Sequence, residues 1–385
     1  MKHELNSNVM KLFFEGELNS TNVQAVEQDV FKTLSDESLF KSLVLNFDNL
    51  IYISSAGLRL VLKLKQKYSD VSIEGASLEV YDTLQMTGFT DLIPTKKALR
   101  IISVKDAEVI GDGFFSTVYR IDKDTIIKVF NRTSDPDQIN RELSLAKEAF
   151  ILGIPTAISF DIVKVADTNK LGVVFEMLDC DSLKSVFVNN PDKYDEYIVK
   201  YANLLKKINS TECDNPAIPD IKKFFIRKLE EIKPYLEDKY YQKASKMLNE
   251  IEDKKTFVHG DCHFKNIMVQ QDELLLIDMD TLSVGHPIFE LATLYAPYVA
   301  FDEDDPGNTL KFFGMSHEYA VKLYNDLLNL YFGKDDEIVK NKIRLVGYLH
   351  MVWWNRTNEP QNNVRLEGCR ARLYELLDKC DDLKI

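Results

Sequence analysis

The sequence contains no long apolar run and few cysteines. No segment approaches the roughly 18 consecutive apolar residues that a membrane-spanning helix requires, and residues 1–6 lack the apolar stretch of a signal peptide. The five cysteines are an odd number, and none of them shows the C-x-x-C spacing of zinc or redox sites. We therefore expect no membrane partner, no disulfide framework and a cytoplasmic location.

Basic residues are also scarce. The chain has 48 lysines and arginines against 61 aspartates and glutamates, which gives a formal net charge of −13. Most of this charge belongs to residues 103–385, since residues 1–102 hold 11 basic and 13 acidic residues. Because nucleic-acid binding recruits lysine and arginine, we expect no nucleic-acid partner. The acidic balance is compatible either with a cationic substrate or with a surface that only maintains solubility.

A length of 385 residues favours two domains. Strand-like and helix-like segments alternate over the first hundred residues, as in a small α/β layer. That pattern ends near residues 94–97 and a new one begins near Ser103, so we place the domains at 1–102 and 103–385. The second domain begins with a strand-rich part that holds one long helix, over 137–152, and then becomes mostly helical.

Two features near the start of the second domain suit phosphate binding. Gly111 and Gly113 lie in a hairpin-like stretch, and glycines let backbone N–H groups approach phosphate oxygens, although a plain β-turn would use them too. Lys128 lies inside an apolar strand, where an ammonium group needs a carboxylate partner. The following helix offers Glu142 and Glu148 for that purpose.

The most informative pattern is the stretch VHGDCHFKNIM, residues 258–268, followed by LLLIDMD, residues 274–280. It places Asp261, Asn266 and Asp278 in the order in which one group orients a hydroxyl and two others hold Mg²⁺ against ATP phosphates. A polar loop with a capping aspartate is the alternative interpretation.

Together these features resemble the protein-kinase-like fold, and the HGDxHxxN stretch is similar to its aminoglycoside phosphotransferase and choline kinase branch. The resemblance covers about residues 105–385. It implies an α+β bilobal domain, with an N-lobe over 103–178 and a C-lobe over 179–385, and ATP and Mg²⁺ as cofactors. We therefore predict a fold class of a small α/β domain followed by this bilobal domain.

The resemblance also implies a nucleotide site. Lys128 would bind the α- and β-phosphates and be held by Glu142, since the spacing from Glu142 to the turn at 153–155 resembles that branch and favours it over Glu148. The other implied nucleotide contacts are Gly111, Gly113, Ser116 and the backbone groups of Glu176 and Leu178.

For catalysis, the resemblance implies that Asp261 orients the substrate hydroxyl and accepts its proton, while Asn266 and Asp278 bind Mg²⁺. We expect His263 to brace this loop by hydrogen bonding rather than to bind a metal. Asp280 has two open interpretations, assistance to Mg²⁺ or capping of the next turn.

Two departures from regulated protein kinases favour a small-molecule acceptor. Gly260 replaces the arginine that pairs with an activation-loop phosphate, and only twelve positions separate Asp278 from Glu290, too few for a peptide platform. The acceptor pocket itself has no motif. The aromatic stretch at 347–356 is either a core helix or a wall for an amine. The acidic run at 302–305 is expected to be a solvated loop, with contact to a cationic substrate as the alternative.

The segment 43–59 resembles the STAS domain of anti-sigma factor antagonists, and this resemblance covers about residues 1–100. In that family the serine aligned with Ser55 is phosphorylated, which implies a candidate phosphoacceptor and a protein partner for this domain. A helix N-terminus stabilises a phosphate group. Ser54 replaces the aspartate of many relatives, and the alternative is that Ser54 and Ser55 act only as N-caps.

The sequence thus predicts an ATP- and Mg²⁺-dependent phosphotransferase that phosphorylates a hydroxyl group of a small aminoglycoside- or amino-alcohol-like molecule, coupled to a STAS regulatory module. The alternative is a signalling protein kinase, or a nucleotide sensor, in an anti-sigma-factor partner-switching pathway with Ser55 as phosphoacceptor.

Overall fold

The computed structural model describes residues 1–113, 116–131, 136–166, 168, 170–178 and 180–385, without the side chains of residues 37 and 136–138. The chain divides into two units, Met1–Ile102 and Ser103–Ile385. Each unit has its own hydrophobic core and is described by itself.

The first unit is a sheet covered by helices. Its elements are β1 (His3–Asn6), β2 (Val9–Leu18), α1 (Val23–Thr33), β3 (Ser42–Ile53), α2 (Ser55–Lys67), β4 (Val71–Ala76), α3 (Leu78–Met86), α4 (Phe89–Leu92), β5 (Thr95–Lys97) and β6 (Arg100–Ile102). Strands β1 to β5 lie side by side in chain order; β2 to β5 are parallel, and β1 is antiparallel to β2. Alternate residues of β2, Met10, Leu12 and Phe14, are buried, because successive side chains of a strand point to opposite faces.

Gly57 sets the position of α2 on this sheet. A Cβ atom at this residue would lie 2.7 Å from the carbonyl oxygen of Leu18 and 2.8 Å from Cγ1 of Ile53. Glycine therefore allows the first turn of α2 to pack directly on the strand backbone. Ser55, the first residue of α2, lies two residues after the end of β3, the central strand of the sheet.

The second unit begins with an antiparallel sheet and one helix, which form the N-lobe. The elements are β7 (Glu108–Asp112), β8 (Ser116–Arg120), β9 (Thr125–Phe130), α5 (Pro136–Ile151), β10 (Ser159–Val165) and β11 (Leu171–Glu176). Within this unit the strand order is β10-β11-β9-β8-β7, which places Lys128 of β9 between Val118 of β8 and Val173 of β11. Helix α5 packs on β10 and β11 and buries Ile139 and Leu143 at helical spacing.

The remaining elements form a mostly helical C-lobe. They are β12 (Asp181–Ser182), α6 (Leu183–Asn189), α7 (Tyr194–Ser210), α8 (Ile221–Ile232), α9 (Asp238–Asn249), β13 (Phe257–Val258), β14 (Ile267–Gln270), β15 (Glu273–Leu276), β16 (Ser283–Val284), α10 (Ile288–Tyr295), α11 (Phe301–Glu303), α12 (Asn308–Phe313), α13 (His317–Phe332), α14 (Glu337–Asn358) and α15 (Asn363–Lys379). Single-turn 3-10 helices span Pro191–Lys193, Lys233–Tyr235, Phe264–Asn266 and Met279–Thr281 in this lobe, and a π-helical turn spans Ala296–Ala300. A further 3-10 turn, Glu37–Leu39, belongs to the first unit. Among the described helices, none is long and apolar enough to cross a membrane.

The aromatic stretch at 347–356 lies in α14, which packs against α8, α10 and α15 in the C-lobe core. Tyr348 and Val352 are buried there, and Trp353 donates a hydrogen bond to Glu231 of α8. This arrangement supports the core-helix interpretation of the stretch. An α/β unit followed by a two-lobed α+β unit confirms the predicted fold class.

Candidate active site

Lys128 joins the two lobes of the second unit. Its Nζ lies 2.7 Å from Oε1 of Glu142 on α5 and 2.6 Å from Oδ1 of Asp278, which follows β15. Burial would lower the pKa of Lys128, but the charges of Asp278 and Glu142 raise it above its usual value, so the amine stays protonated. The alternative partner, Glu148, instead accepts a weak hydrogen bond from Sγ of Cys213 at 3.9 Å.

Asn266 and Asp261 face each other across the loop that follows β13. Nδ2 of Asn266 donates to the backbone oxygen of Asp261 at 3.0 Å and to its Oδ2 at 3.1 Å. These bonds occupy the amide nitrogen, and within the described residues Oδ1 of Asn266 accepts no hydrogen bond. Burial and the charge of Asp278 raise the pKa of Asp261 to about 7, although the bond from Asn266 acts in the opposite direction. A carboxylate in this range suits a general base.

Asp278 and Asp280 complete an acidic cluster around Lys128. Asp278 has a φ of 65°, an uncommon left-handed conformation for a non-glycine residue. Burial acts to raise the pKa of Asp278, but Lys128 lowers this pKa below its usual value. For Asp280, burial and the charge of Asp278 together raise the pKa to about 7. Asp280 makes no capping hydrogen bond in the described part of the chain, which does not support the capping interpretation.

The oxygen atoms in this cluster fit Mg²⁺. Carboxylate and amide oxygens are its preferred protein ligands, and Asp278 offers the former while Oδ1 of Asn266 offers the latter. No group of three or more metal-ligating acidic, histidine or cysteine side chains occurs among the described residues. Mg²⁺ commonly binds through one or two carboxylates and the phosphates of a substrate.

The glycine-containing turn lies between β7 and β8. The N–H of Gly113 donates to the backbone oxygen of Ser116 at 2.9 Å, and Gly111 lies opposite Val118 at an irregularity in the strand pairing. Neither glycine has a positive φ, so the local backbone does not itself require glycine. The tip of the turn, residues 114 and 115, lies outside the described residues.

The segment expected to meet the adenine base follows β11. The N–H of Glu176 donates to the backbone oxygen of Ile158 at 3.0 Å, and its Oε1 accepts from the N–H of Ile158 at 2.7 Å. The side chain of Glu176 therefore ties the end of β11 to the start of β10, a role that the sequence did not indicate. The side chain of Leu178 is buried.

The side chain of Glu290 binds the backbone of the catalytic loop, a role that the sequence did not predict. The side chain is fully buried in α10 and accepts hydrogen bonds from the N–H of His259 at 2.5 Å and of Gly260 at 3.1 Å. Burial raises its pKa to about 7, against the effect of the two N–H donors. The signal that could have identified it is an acidic residue within the apolar run IFELATL, because a buried carboxylate requires hydrogen-bond donors.

The two histidines of the motif are structural neighbours of Asp261. Burial lowers the pKa of both His259 and His263 to about 4, so both are neutral at pH 7. Nδ1 of His259 accepts from the N–H of Asp261 at 3.3 Å, and Nε2 of His263 lies 3.5 Å from Oδ1 of Asp261. Behind the loop, the hydroxyl of Tyr201 donates to the carbonyl oxygen of Cys262. His259 thus accepts a hydrogen bond within the loop, whereas Nδ1 of His263 is buried without a hydrogen-bond partner among the described residues, so bracing by His263 stays a prediction.

The acidic run at 302–305 is not the solvated loop that the sequence suggested. Asp304 accepts hydrogen bonds from Arg372 at 2.8 and 3.0 Å, and Asp305 lies 3.1 Å from the buried Arg365. Glu303 accepts from the hydroxyl of Tyr348 at 2.6 Å. The prediction was wrong because the arginines that pair with this run lie on α15, some sixty residues further along the chain.

Ser54 and Ser55 differ in the first unit. Oγ of Ser54 accepts from the N–H groups of Ala56 at 3.2 Å and of Gly57 at 3.4 Å, so Ser54 is the N-cap of α2. Ser55 is the first helical residue and is exposed. The capping interpretation therefore describes Ser54 and not Ser55.

The two-lobed unit and the cluster around Lys128 and Asp261 define a kinase-like phosphotransferase. The model of the phosphotransferase enzyme family, APH, matches residues 106–315, and the chain belongs to this family. The model of the STAS domain matches residues 1–100. Both predicted resemblances are confirmed, and the protein is a phosphotransferase of the kinase type.

Solved structures with a similar fold include aminoglycoside phosphotransferases and a choline kinase relative. The gentamicin complex of APH(2'')-IIa is 16% identical, with 70% of this chain and 91% of that chain covered and a TM-score of 0.46. The ADP-bound APH(2'')-Ib is 15% identical, with 71% and 94% covered and a TM-score of 0.48. A choline/ethanolamine kinase family protein from Mesorhizobium loti is 14% identical, with 71% and 88% covered and a TM-score of 0.46. Curated protein sequences gave no match.

Proposed function

We propose that this protein transfers the γ-phosphoryl group of ATP, with Mg²⁺, to a hydroxyl group of a small molecule. The observation that carries the proposal is the connected cluster in which Lys128 pairs with Glu142 and Asp278 while Asn266 holds Asp261. Phosphoryl transfer depends mainly on positioning and on neutralising phosphate charge, and these groups supply both.

On the nucleotide side, Lys128 would bind phosphate oxygens and Glu142 would keep its ammonium group in place. The turn that contains Gly111, Gly113 and Ser116 would cover the phosphates, and the backbone of Glu176 and Leu178 would meet the base. Asp278 and Oδ1 of Asn266 would hold Mg²⁺, which neutralises phosphate charge when bound.

On the acceptor side, the substrate hydroxyl would donate a hydrogen bond to Asp261. As the hydroxyl oxygen bonds to the γ-phosphorus, the bond from that phosphorus to the β,γ-bridging oxygen breaks and ADP leaves. The hydroxyl proton passes to Asp261, which Asn266 and the neighbouring histidines hold in position.

Asp261→Asn tests the catalytic role. The amide keeps the size of the side chain but cannot accept the proton, so turnover should fall by about two to four orders of magnitude while ATP binding stays nearly intact. Phosphate transfer should be measured over aminoglycosides, amino alcohols, sugars, nucleosides and hydroxy acids, with products identified by mass. Asp272→Asn, an exposed aspartate in the β14–β15 turn, is the matched control. Unchanged turnover in Asp261→Asn would refute its role as base.

A second candidate is a signalling kinase that phosphorylates a protein in a partner-switching pathway, with Ser55 as the acceptor. The exposed position of Ser55 at the N-terminus of α2, beside the capping Ser54, favours it, since the positive end of the helix dipole stabilises a phosphate. Mass spectrometry after incubation with Mg-ATP tests it, with Ser55→Ala as control; absence of phosphate on any protein counts against it.

A nucleotide sensor would bind ATP without turnover and signal by STAS docking to a protein partner. All three roles use ATP, and we propose a cytoplasmic location.

A further inference from the structure

Two lysines beside the catalytic loop have no acidic partner. Lys265 lies four residues after Asp261 and directly before Asn266, and Lys184 is in the first turn of α6. Neither ammonium group has a carboxylate within 4.0 Å in the part of the chain that the structure describes. Both ammonium groups are therefore available to an external anion.

Lys265 belongs to the catalytic loop and contacts an exposed aromatic ring beside it. Its Nζ is 4.0 Å from the centroid of the Phe312 ring, which is 40% exposed. The same ring lies 5.3 Å from that of His263, and Nε2 of His263 is 3.5 Å from Oδ1 of Asp261. Contacts through Phe312 and His263 therefore lead from Lys265 to Asp261, the candidate base.

Lys184 converges on the same place from α6. A Cβ atom at Gly314, the C-cap of α12 two residues after Phe312, would lie 3.6 Å from both Cε and Nζ of Lys184. The charges of Lys184 and of Asp261 both act on the ammonium group of Lys265. Lys184 and Asp261 are thus both close enough to Lys265 to interact with it electrostatically, which gives the surroundings of the candidate base two positive charges.

The structure offers less to a cationic acceptor. Within the acidic run at 302–305, Arg365 and Arg372 neutralise Asp304 and Asp305. Glu303 is occupied by the hydroxyl of Tyr348.

We propose that the acceptor is a small alcohol with an anionic group, a carboxylate or a phosphate ester, that Lys265 and Lys184 bind while its hydroxyl faces Asp261. The inference rests on the proposed phosphotransfer and narrows its substrate class. A charge-assisted hydrogen bond to each lysine would hold the anion, and an aminoglycoside would meet two positive charges at the same position.

The experiment compares compounds that share a skeleton and differ in charge. One series is glycerate, glycerol and 2-amino-1,3-propanediol; the other is glucose 6-phosphate, glucose and glucosamine. Binding is measured by calorimetry on the full chain saturated with Mg²⁺ and a non-hydrolysable ATP analogue, so that anions cannot occupy the nucleotide phosphate site. Transfer from Mg-ATP is measured in parallel. We expect the anionic member of at least one series to bind and react best, and the two series distinguish a carboxylate from a phosphate ester.

Lys265→Met and Lys184→Met should each weaken binding of that anion about 10- to 100-fold, with ATP affinity unchanged. Lys265→Arg should restore most of the loss, which a merely structural effect on the loop would not predict. Lys311→Met, an exposed lysine of α12, is the control.

Preferential binding of the cationic or neutral members, or no binding of either anion, would overturn the inference. A loss of ATP affinity in the lysine variants would also overturn it, because the lysines would then hold the nucleotide. The proposed function fails separately, if the wild-type chain does not bind the nucleotide or transfers phosphate to no compound in the wider panel.

Discussion

Replacing Lys228 with methionine should change how the stability of the second unit depends on pH. Lys228 is buried on α8, where its Nζ lies 2.7 Å from Nδ1 of His350. The rings of Phe224, Phe225 and Trp353 surround it, with centroids at 4.1, 4.8 and 4.2 Å. No carboxylate lies within 4.0 Å of this amine among the described residues.

Burial lowers the pKa of Lys228 from its ordinary value of 10.5 to about 7, with Glu231 opposing the shift and Arg227 adding to it. Above pH 7 the folded chain therefore releases a proton that the unfolded chain keeps until about pH 10. The free energy of unfolding rises with pH across this window, and this gain is lost as the pH falls back to 7. Integrated between pH 7 and pH 9, the gain is about 2 kcal/mol. Lys228→Met lacks this group and should lack the gain.

Denaturant unfolding followed by tryptophan fluorescence is the appropriate assay, since both tryptophans of the chain lie on α14 and report on the second unit. The stability difference between Lys228→Met and the wild type should shift by about 2 kcal/mol in favour of the wild type between pH 7 and pH 9. Lys223→Met, on the exposed side of the same helix, should show no such shift. An equal difference at both pH values would refute the reasoning and mean that the aromatic rings keep Lys228 charged in the fold.

Three further changes test other parts of the structure. Glu290→Gln should destabilise the second unit by about 1–3 kcal/mol, since an amide replaces a carboxylate that accepts two N–H groups, and tryptophan-monitored unfolding measures this. Gly57→Val should destabilise the first unit by about 1–3 kcal/mol through its clash with Leu18, seen as faster amide exchange of residues 1–102 in the full chain. Arg372→Met should cost on the order of 2–3 kcal/mol because Asp304 loses both of its hydrogen bonds from Arg372, and unfolding midpoints would show it.

The parts of the fold that the sequence could predict are those specified by local patterns. The strand around Lys128 and the helix that carries Glu142 follow from apolar periodicity, and a buried lysine requires a nearby carboxylate. The spacing of Asp261 and Asn266 places both in one short loop, so their hydrogen bond is a local consequence of the motif. The predicted enzyme class depended on these elements.

Contacts between distant segments were not available from the sequence. The charges at 302–305 appear solvated until α15 brings Arg365 and Arg372 to them, and nothing in the run itself indicates those partners. Glu176 was expected to act through its backbone alone, yet its carboxylate binds the N–H of Ile158. Acceptor specificity belongs to the same category, because Lys184 lies near Gly314 and Lys265 near Phe312, both distant from these lysines along the chain.

The contact of Lys128 with both Glu142 and Asp278 has a consequence for the order of folding. The first pair closes a loop of 14 residues and the second a loop of 150, which costs about 2 kcal/mol more in chain entropy. The N-lobe can form its own half of the cluster early, whereas the link to Asp278 requires a completed C-lobe. During refolding, the helical core around the tryptophans should therefore assemble before the chain regains its ability to bind nucleotide.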